Sequence, residues 1–212
     1  VRQVIQFKPH SIVLVDQGET RLHQLTLELE TIVTESNIHS VIADVRNKEV
    51  MRRVFRTYSP QVVYHAAAYK HVPLMEENPS QAIQTNVEGT KNVADLACEF
   101  KVKKFVMVST DKAVNPSNVM GASKRIAEKY VQSLQLRSVK ENNGKGTKFI
   151  TTRFGNVLGS NGSVVPLFSK QIAAGGPVTI THQDIIRYFM TIPEACQLVL
   201  EAGSMGKGGE IY

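Results

Sequence analysis

Short apolar runs alternate with longer segments of helical period along the chain. The run Ser11–Asp16, SIVLVD, is apolar from Ile12 to Val15, the pattern of a strand buried on both faces. Residues 20–35 follow, with Leu22, Leu25, Leu29 and Val33 at helical spacing. The alternation then repeats. It predicts strand 38–44, helix 47–58, strand 61–67 and helix 79–100, with Pro79 in the first turn of that helix. Strand 103–110, helix 117–136, a polar surface loop at 140–145 and strand 148–157 complete it. Strands separated by helices predict right-handed crossovers and a parallel sheet covered on both faces. After Gly159 the texture changes to glycine-rich stretches, a short β-rich run at 178–181 and one more helix at 192–202. The expected division is 1–158 as the main α/β domain and 159–212 as part of a smaller region over the end of the sheet.

Composition narrows the class. A chain of 212 residues buries a sizeable core without disulfide or metal staples. With 42% hydrophobic and 21% charged residues it lies outside the disordered class. Cys98 and Cys196 sit in apolar helical contexts and form no C-x-x-C pair. That excludes a zinc ribbon and a disulfide scaffold, predicts no metal, and fits a reducing, cytoplasmic compartment. No stretch approaches about 18 apolar residues, so no membrane span is expected in this chain. The net charge of +6 raises nucleic acid as a partner. The basic residues are scattered, however, with no run of five, which argues against nucleic acid, and an anionic small-molecule ligand would account for some of the excess.

In an open parallel sheet, ligands bind beyond the carboxyl ends of the strands. The first run ends in Asp16, which could bond adenosine ribose hydroxyls in a dinucleotide site or simply start the turn to Gly18. The second ends in Asp44-Val45, an acid for an adenine amino group beside an apolar wall; Asp44 could also cap the next helix. The third ends in His65 and then Ala66, Ala67 and Ala68, small enough for a flat cofactor to approach, followed by Lys70 and His71 as candidate cations. His65 itself reads as a core histidine, and Asn86 as a structural bridge or a support for the site. The fourth run ends in Ser109-Thr110-Asp111-Lys112, a hydroxyl, a carboxyl and an amine in series. Met120-Gly-Ala-Ser-Lys124 opens the next helix, so a strand-end hydroxyl and a helix lysine can flank one sugar-sized site. Asn156 follows the fifth strand, and Arg187 could bind a diphosphate in bidentate fashion.

These stretches together resemble one family. They are HAAAYKHVPLMEENP at 65–79, TNVEGTKNV at 85–93, VSTDKAVNPSNVMGASK at 108–124, RFGNVLGSNGSVVPLF at 153–168 and TITHQDIIRYFMTIPEA at 179–195. The chain resembles the extended short-chain dehydrogenase/reductases, and within them the nucleotide-sugar 4,6-dehydratases of bacterial polysaccharide biosynthesis. The resemblance implies a Rossmann-type doubly wound sheet. It implies oxidation of a UDP-N-acetylhexosamine (UDP-N-acetylglucosamine foremost) at C4, loss of water across C5 and C6, and return of the hydride to C6. Thr110 would bond the C4 oxygen, Asp111 would protonate the departing C6 hydroxyl and Lys112 would take the C5 proton. Lys124 would hold the nicotinamide ribose. The cofactor is NAD or NADP, with NAD favoured because the charge of Asp16 repels a 2′-phosphate, although Arg21 leaves NADP open.

The superfamily's usual tyrosine is here Met120, which transfers no proton. That is similar to the membrane-anchored, C5-retaining branch, in which transmembrane helices and another Rossmann-like domain precede the catalytic domain. A homo-oligomer is compatible with the same resemblance. Two rivals stay open: a nucleotide-sugar 4-epimerase, which needs no elimination pair, and a non-catalytic nucleotide-binding or scaffolding module. Residues 1–8 read as the end of a helix. The first strand and glycine-rich loop of a 3-2-1-4-5-6 sheet are expected before residue 1, between strands 11–16 and 61–67, and residues 210–212 read as the start of a strand. On that expectation this piece alone binds NAD(H) weakly or not at all.

Overall fold

A computed structural model describes residues 1–32, 36–142, 145–160, 164–180, 182–184 and 186–212. The chain opens in a 3-10 turn, Val4–Phe7, which ends where Lys8 takes a left-handed backbone (φ 48°). It is a single turn anchored by buried Ile5, shorter than the helix end expected there. Then β1 (Ser11–Asp16), α1 (Glu19–Ile32), β2 (Asn37–Ile42), α2 (Lys48–Tyr58) and β3 (Val62–His65) follow the predicted alternation. Val33 and the remainder of the predicted first helix lie outside the described residues. Strand β2 stops at Ile42, so Asp44 stands in the connection rather than in the strand.

The predicted helix 79–100 is helical throughout but not one α-helix. After a short helix α3 (Val72–Glu77), α4 (Pro79–Ala82) runs into a π-helical stretch, Ile83–Gly89, and then α5 (Thr90–Glu99). At Gly89 the helix comes close to the connection after β2: a Cβ there would stand 2.7 Å from Val45 Cγ2. Strand β4 (Lys104–Thr110) leads through a 3-10 turn, Asp111–Ala113, to α6 (Val119–Asn142). Helix α6 therefore runs through part of the stretch expected as a loop. The predicted strand 148–157 divides into β5 (Lys148–Phe154) and β6 (Asn156–Val157). The break is Gly155, where the backbone of Tyr188 comes in and β6 leaves to pair with a later strand. Helix α7 (Val164–Ala173), hidden from the sequence reading, precedes β7 (Phe189–Met190) and α8 (Ile192–Met205). Residues 178–180 form no strand, and Thr181 lies outside the described residues.

The sheet topology follows the predicted order in two parallel pieces, β1–β2 and β3–β4–β5, and Ile211 adds a parallel bridge at Thr151. One core joins the pieces. Val15 and Val41 pack with Met51, Phe55, Leu96, Phe105, Met107 and Phe149. Burial follows position in the sheet. Central β4 hides Phe105, Val106 and Met107 completely, whereas β3 leaves Val62 and Tyr64 exposed and β1 fully buries only Leu14. Helix α8 lies on β4 and β5, and its carboxyl end is held by Lys104, whose Nζ donates to the carbonyls of Gly203 and Ser204 at 2.6 Å each. Among the described residues, no helix is long and apolar enough to cross a membrane.

Candidate active site

The carboxyl end of β4 gathers the chemistry. Thr110 is the last strand residue, and its backbone is still extended (φ −143°, ψ 154°) as the 3-10 turn begins. Its Oγ1 accepts the Lys112 N–H at 3.3 Å and donates to Asp111 Oδ1 at 2.8 Å. The same carboxylate oxygen accepts from Lys112 Nζ at 3.0 Å. Hydroxyl, carboxylate and ammonium thus meet on one oxygen. Partial burial works to raise the Asp111 pKa, but the bonds from Lys112 and Thr110 outweigh it and hold the carboxyl below its ordinary value.

Two glycines let backbone close around this corner. A Cβ on Gly121 would lie 2.3 Å from the Lys112 carbonyl oxygen, so the first turn of α6 touches the Thr-Asp-Lys turn directly. A Cβ on Gly155 would lie 2.8 Å from the Tyr188 carbonyl oxygen and 3.4 Å from Asp111 Oδ2. The Asn156 N–H donates to that same Tyr188 carbonyl at 3.0 Å. Asn156 and Tyr188 therefore stand next to Asp111, and Arg187, half-buried, immediately precedes Tyr188. Sequence reading missed both glycines; only the close approach of another segment makes them necessary.

Lys124, one turn into α6, is almost fully buried and donates to the Val108 carbonyl at 2.7 Å. Desolvation pulls its pKa down to about 8, against the field of Glu128. Met120 does not join it. Its side chain is buried with Met75 and Ala82 and flanked by Tyr69, Val72 and Val119, so it serves as core. The helix entrance is fixed by Asn118, whose Oδ1 accepts the Gly121 N–H at 2.8 Å, and by Glu76, which accepts the Val119 N–H at 2.7 Å.

Behind the corner, the π-helical stretch turns Asn86 inward. Its Oδ1 accepts the Tyr69 N–H at 2.8 Å, and its Nδ2 donates to the Tyr69 carbonyl at 3.0 Å and to Ser123 Oγ at 2.9 Å. The residue after Ser123 is Lys124, so Asn86 couples the loop beyond β3 to the lysine helix. His65 is buried, with Nε2 2.9 Å from Thr90 Oγ1. Burial and the nearby Lys124 charge lower its pKa to about 3, which keeps it neutral. It is a core histidine, as its setting suggested. Beyond it Ala66 and Ala67 are exposed and Ala68 half-buried, an open strip of small residues; Lys70 and His71 are exposed on the following turn.

The other candidates stand apart, at the ends of β1 and β2. Asp16 Oδ1 accepts the Gly18 N–H at 2.7 Å, fixing the turn. Arg21 is exposed one turn into α1. Asp44 bonds the Arg46 N–H at 2.9 Å and its guanidinium at 2.7 Å, and the Arg46 bond holds the carboxyl below its ordinary value against desolvation. Asp44 is not the helix cap; Asn47 is, accepting the Val50 N–H at 3.1 Å. Val45, half-buried, lies against Gly89 and packs on the core. Among the described residues, no group of three or more His, Cys, Asp or Glu could hold a metal ion.

A family model described as polysaccharide biosynthesis protein matches residues 1–212. The capsular polysaccharide biosynthesis protein CapD of Staphylococcus aureus is 56% identical over all 212 residues, which make up 34% of that protein. A UDP-N-acetylglucosamine 4,6-dehydratase (inverting) of Campylobacter jejuni is 38% identical over 97% of this chain and 59% of its own length. A UDP-glucose 4-epimerase of Rickettsia canadensis is 40% identical over 87% of this chain and 52% of its own. The chain thus spans between a third and three fifths of these relatives. Among solved structures, DesIV, a dTDP-glucose 4,6-dehydratase of Streptomyces venezuelae with NAD and TYD bound, superposes with TM-score 0.79 at 21% identity, covering 100% of this chain and 69% of that one. At that identity the match establishes the shared Rossmann-type α/β fold.

Proposed function

The chain belongs to the polysaccharide biosynthesis protein family, and from that premise we propose that it carries the chemistry of a nucleotide-sugar 4,6-dehydratase. The substrate is a UDP-N-acetylhexosamine, UDP-N-acetylglucosamine first, and the product is its 4-keto-6-deoxy sugar, made for capsule, O-antigen or other glycan. One observation carries the reading: Thr110 and Lys112 meet on a single oxygen of Asp111 while Met120 is packed away in the core. An elimination needs an acid and a base within reach of adjacent carbons, and this corner supplies both.

The proton balance closes on these three residues. Asp111 is held ionised, which suits it to receive a proton first. The C4 hydroxyl gives its proton to Thr110 Oγ1 as Thr110 passes its own along the 2.8 Å bond to Asp111. Asp111 then protonates the departing C6 hydroxyl, while Lys112, its ammonium having given one proton to solvent as the substrate enters, takes the C5 proton. Lys112 returns a proton to C5 when C6 is reduced and regains one from solvent as the product leaves, so the pair stands as it began. NAD is the cofactor we assign, and the chemistry it supplies is storage of the hydride between C4 and C6. Lys124 would hold its nicotinamide ribose, the strip Ala66–Ala67–Ala68 would lie along it, and the carboxylate of Asp16 would accept from the adenosine ribose.

Return of the C5 proton from the same lysine favours retention at C5. Lys70, His71, Asn156 and Arg187 are assigned to the UDP-sugar, with residues 1–158 as the cofactor-binding unit and 159–212 as part of the sugar-binding unit. Two free cysteines suit a reducing compartment, and the cytoplasm is where we place the reaction. The test is incubation of the complete protein with UDP-N-acetylglucosamine and proton NMR of the product. A 4-keto-6-deoxy sugar of unchanged C5 configuration is expected. An L-arabino product would overturn retention, and a C4 epimer with C6 intact would favour the epimerase reading instead.

A further inference from the structure

One charged group near the site takes no part in the proton sequence. Glu128 lies four residues beyond Lys124 on α6, about 6 Å along the helix axis, and its side chain is fully buried. Arg153 of β5 forks onto it, with Nε to one carboxylate oxygen at 2.9 Å and Nη2 to the other at 2.6 Å; Arg125 adds a bond at 3.2 Å. Arg153 pairs in sheet register with Ser109, the residue before Thr110. One carboxylate therefore ties the lysine helix to the two strands that end at the site.

A buried ion pair of this kind adds little net stability compared with apolar residues of the same volume, so its physical effect lies in what it orients and what field it creates. The groups around Lys124 are few. His65 faces it from β3 and is neutral, the Val108 carbonyl accepts its proton from β4, Arg153 on β5 is engaged by Glu128, and Asp111 and Lys112 are bonded to each other. Glu128 is the carboxylate whose field acts on Lys124.

We propose that Glu128, clamped by Arg153, is a positioning residue of the site: it fixes α6, and with it Lys124, against β4 and β5. Only the kinetic readout of this proposal rests on the dehydratase reading. In the complete protein, Glu128→Gln keeps the side-chain shape and an oxygen for Arg153 but removes the charge. The Lys124 titration, followed by 13C NMR of its ε-methylene and assigned with Lys124→Arg, is expected to move down by about one pH unit. The alkaline limb of turnover should move with it. The double variant Glu128→Leu/Arg153→Met replaces the pair by apolar packing. It is expected to match the wild-type melting temperature and still show the lowered titration. Superimposable Lys124 titrations in wild type and either variant overturn the proposal. Absence of turnover by the wild type would instead defeat the dehydratase reading, and the NMR titration would still decide the role of Glu128.

Discussion

The corner at the end of β4 and the stretch from α7 to β7 meet at Gly155 and are built in opposite ways. In the corner, Thr110, Asp111, Lys112, Ser123, Lys124 and Asn86 are all bonded to protein groups, and backbone packs on backbone at Gly121. Along α7 no described residue is fully buried, and Ile186 and Tyr188 are 77% and 79% exposed. The two regions meet where the Tyr188 carbonyl approaches Gly155 and Asp111. Under the proposed function, the difference separates two tasks. Proton transfer needs protonation states set in advance, which burial and fixed bonds achieve. A surface that receives a large polar ligand keeps its side chains accessible.

That contrast can be broken most severely at Asp111. Asp111→Asn keeps the shape but removes the proton acceptor, so turnover should fall by about 10²–10⁴-fold with an unchanged circular dichroism spectrum; a full-rate variant would end the assignment. Next is Gly121→Ala, which places a methyl 2.3 Å from the Lys112 carbonyl. We expect a loss of about 1–3 kcal/mol in denaturant unfolding and a large drop in turnover, because the turn carrying Asp111 must shift.

A subtler probe is acid. His65 is neutral in the fold with a pKa lowered to about 3, from an ordinary 6.5. The unfolded chain binds the extra proton across that window, so stability should fall as pH drops from about 6.5 towards 3, by up to about 1.4 kcal/mol per pH unit from this group. His65→Gln, which can still bond Thr90, should flatten the slope by close to one proton in urea titrations at several pH values. The smallest effect belongs to the open region. Ile172, 65% exposed on α7, should tolerate Ile172→Ala within about 0.5 kcal/mol. A loss as large as that at Gly121 would erase the contrast.

How much of this was legible depends on range. The strand runs and the chemistry at Thr110 to Lys112 were readable because apolar continuity marks a buried strand and the strand end marks the ligand side. Asn86 was visible as a polar residue in an apolar stripe, though not its partners. The break at Gly155 was hidden, since it depends on Tyr188, 33 positions later. Glu128 was hidden too, because a glutamate on a helix usually faces water; its fork with Arg153, on strand β5, is a contact across the fold. Helix α7 was masked by glycines on both sides of an apolar segment that reads equally as strand.

The π-helical stretch Ile83–Gly89 has a consequence for how this chain tolerates insertions and deletions. Each residue in an α-helix turns the chain by about 100°, and a π-turn absorbs an extra residue without lengthening the helix by a full step. Removing one residue there would let the segment relax into an ordinary α-helix. It would also swing Asn86 and Thr90 relative to each other, so that one of the two, the clasp on Tyr69 or the bond to His65, would be lost. This partly buried turn is therefore a place where a one-codon change in length, with no change in polarity, should disable the site.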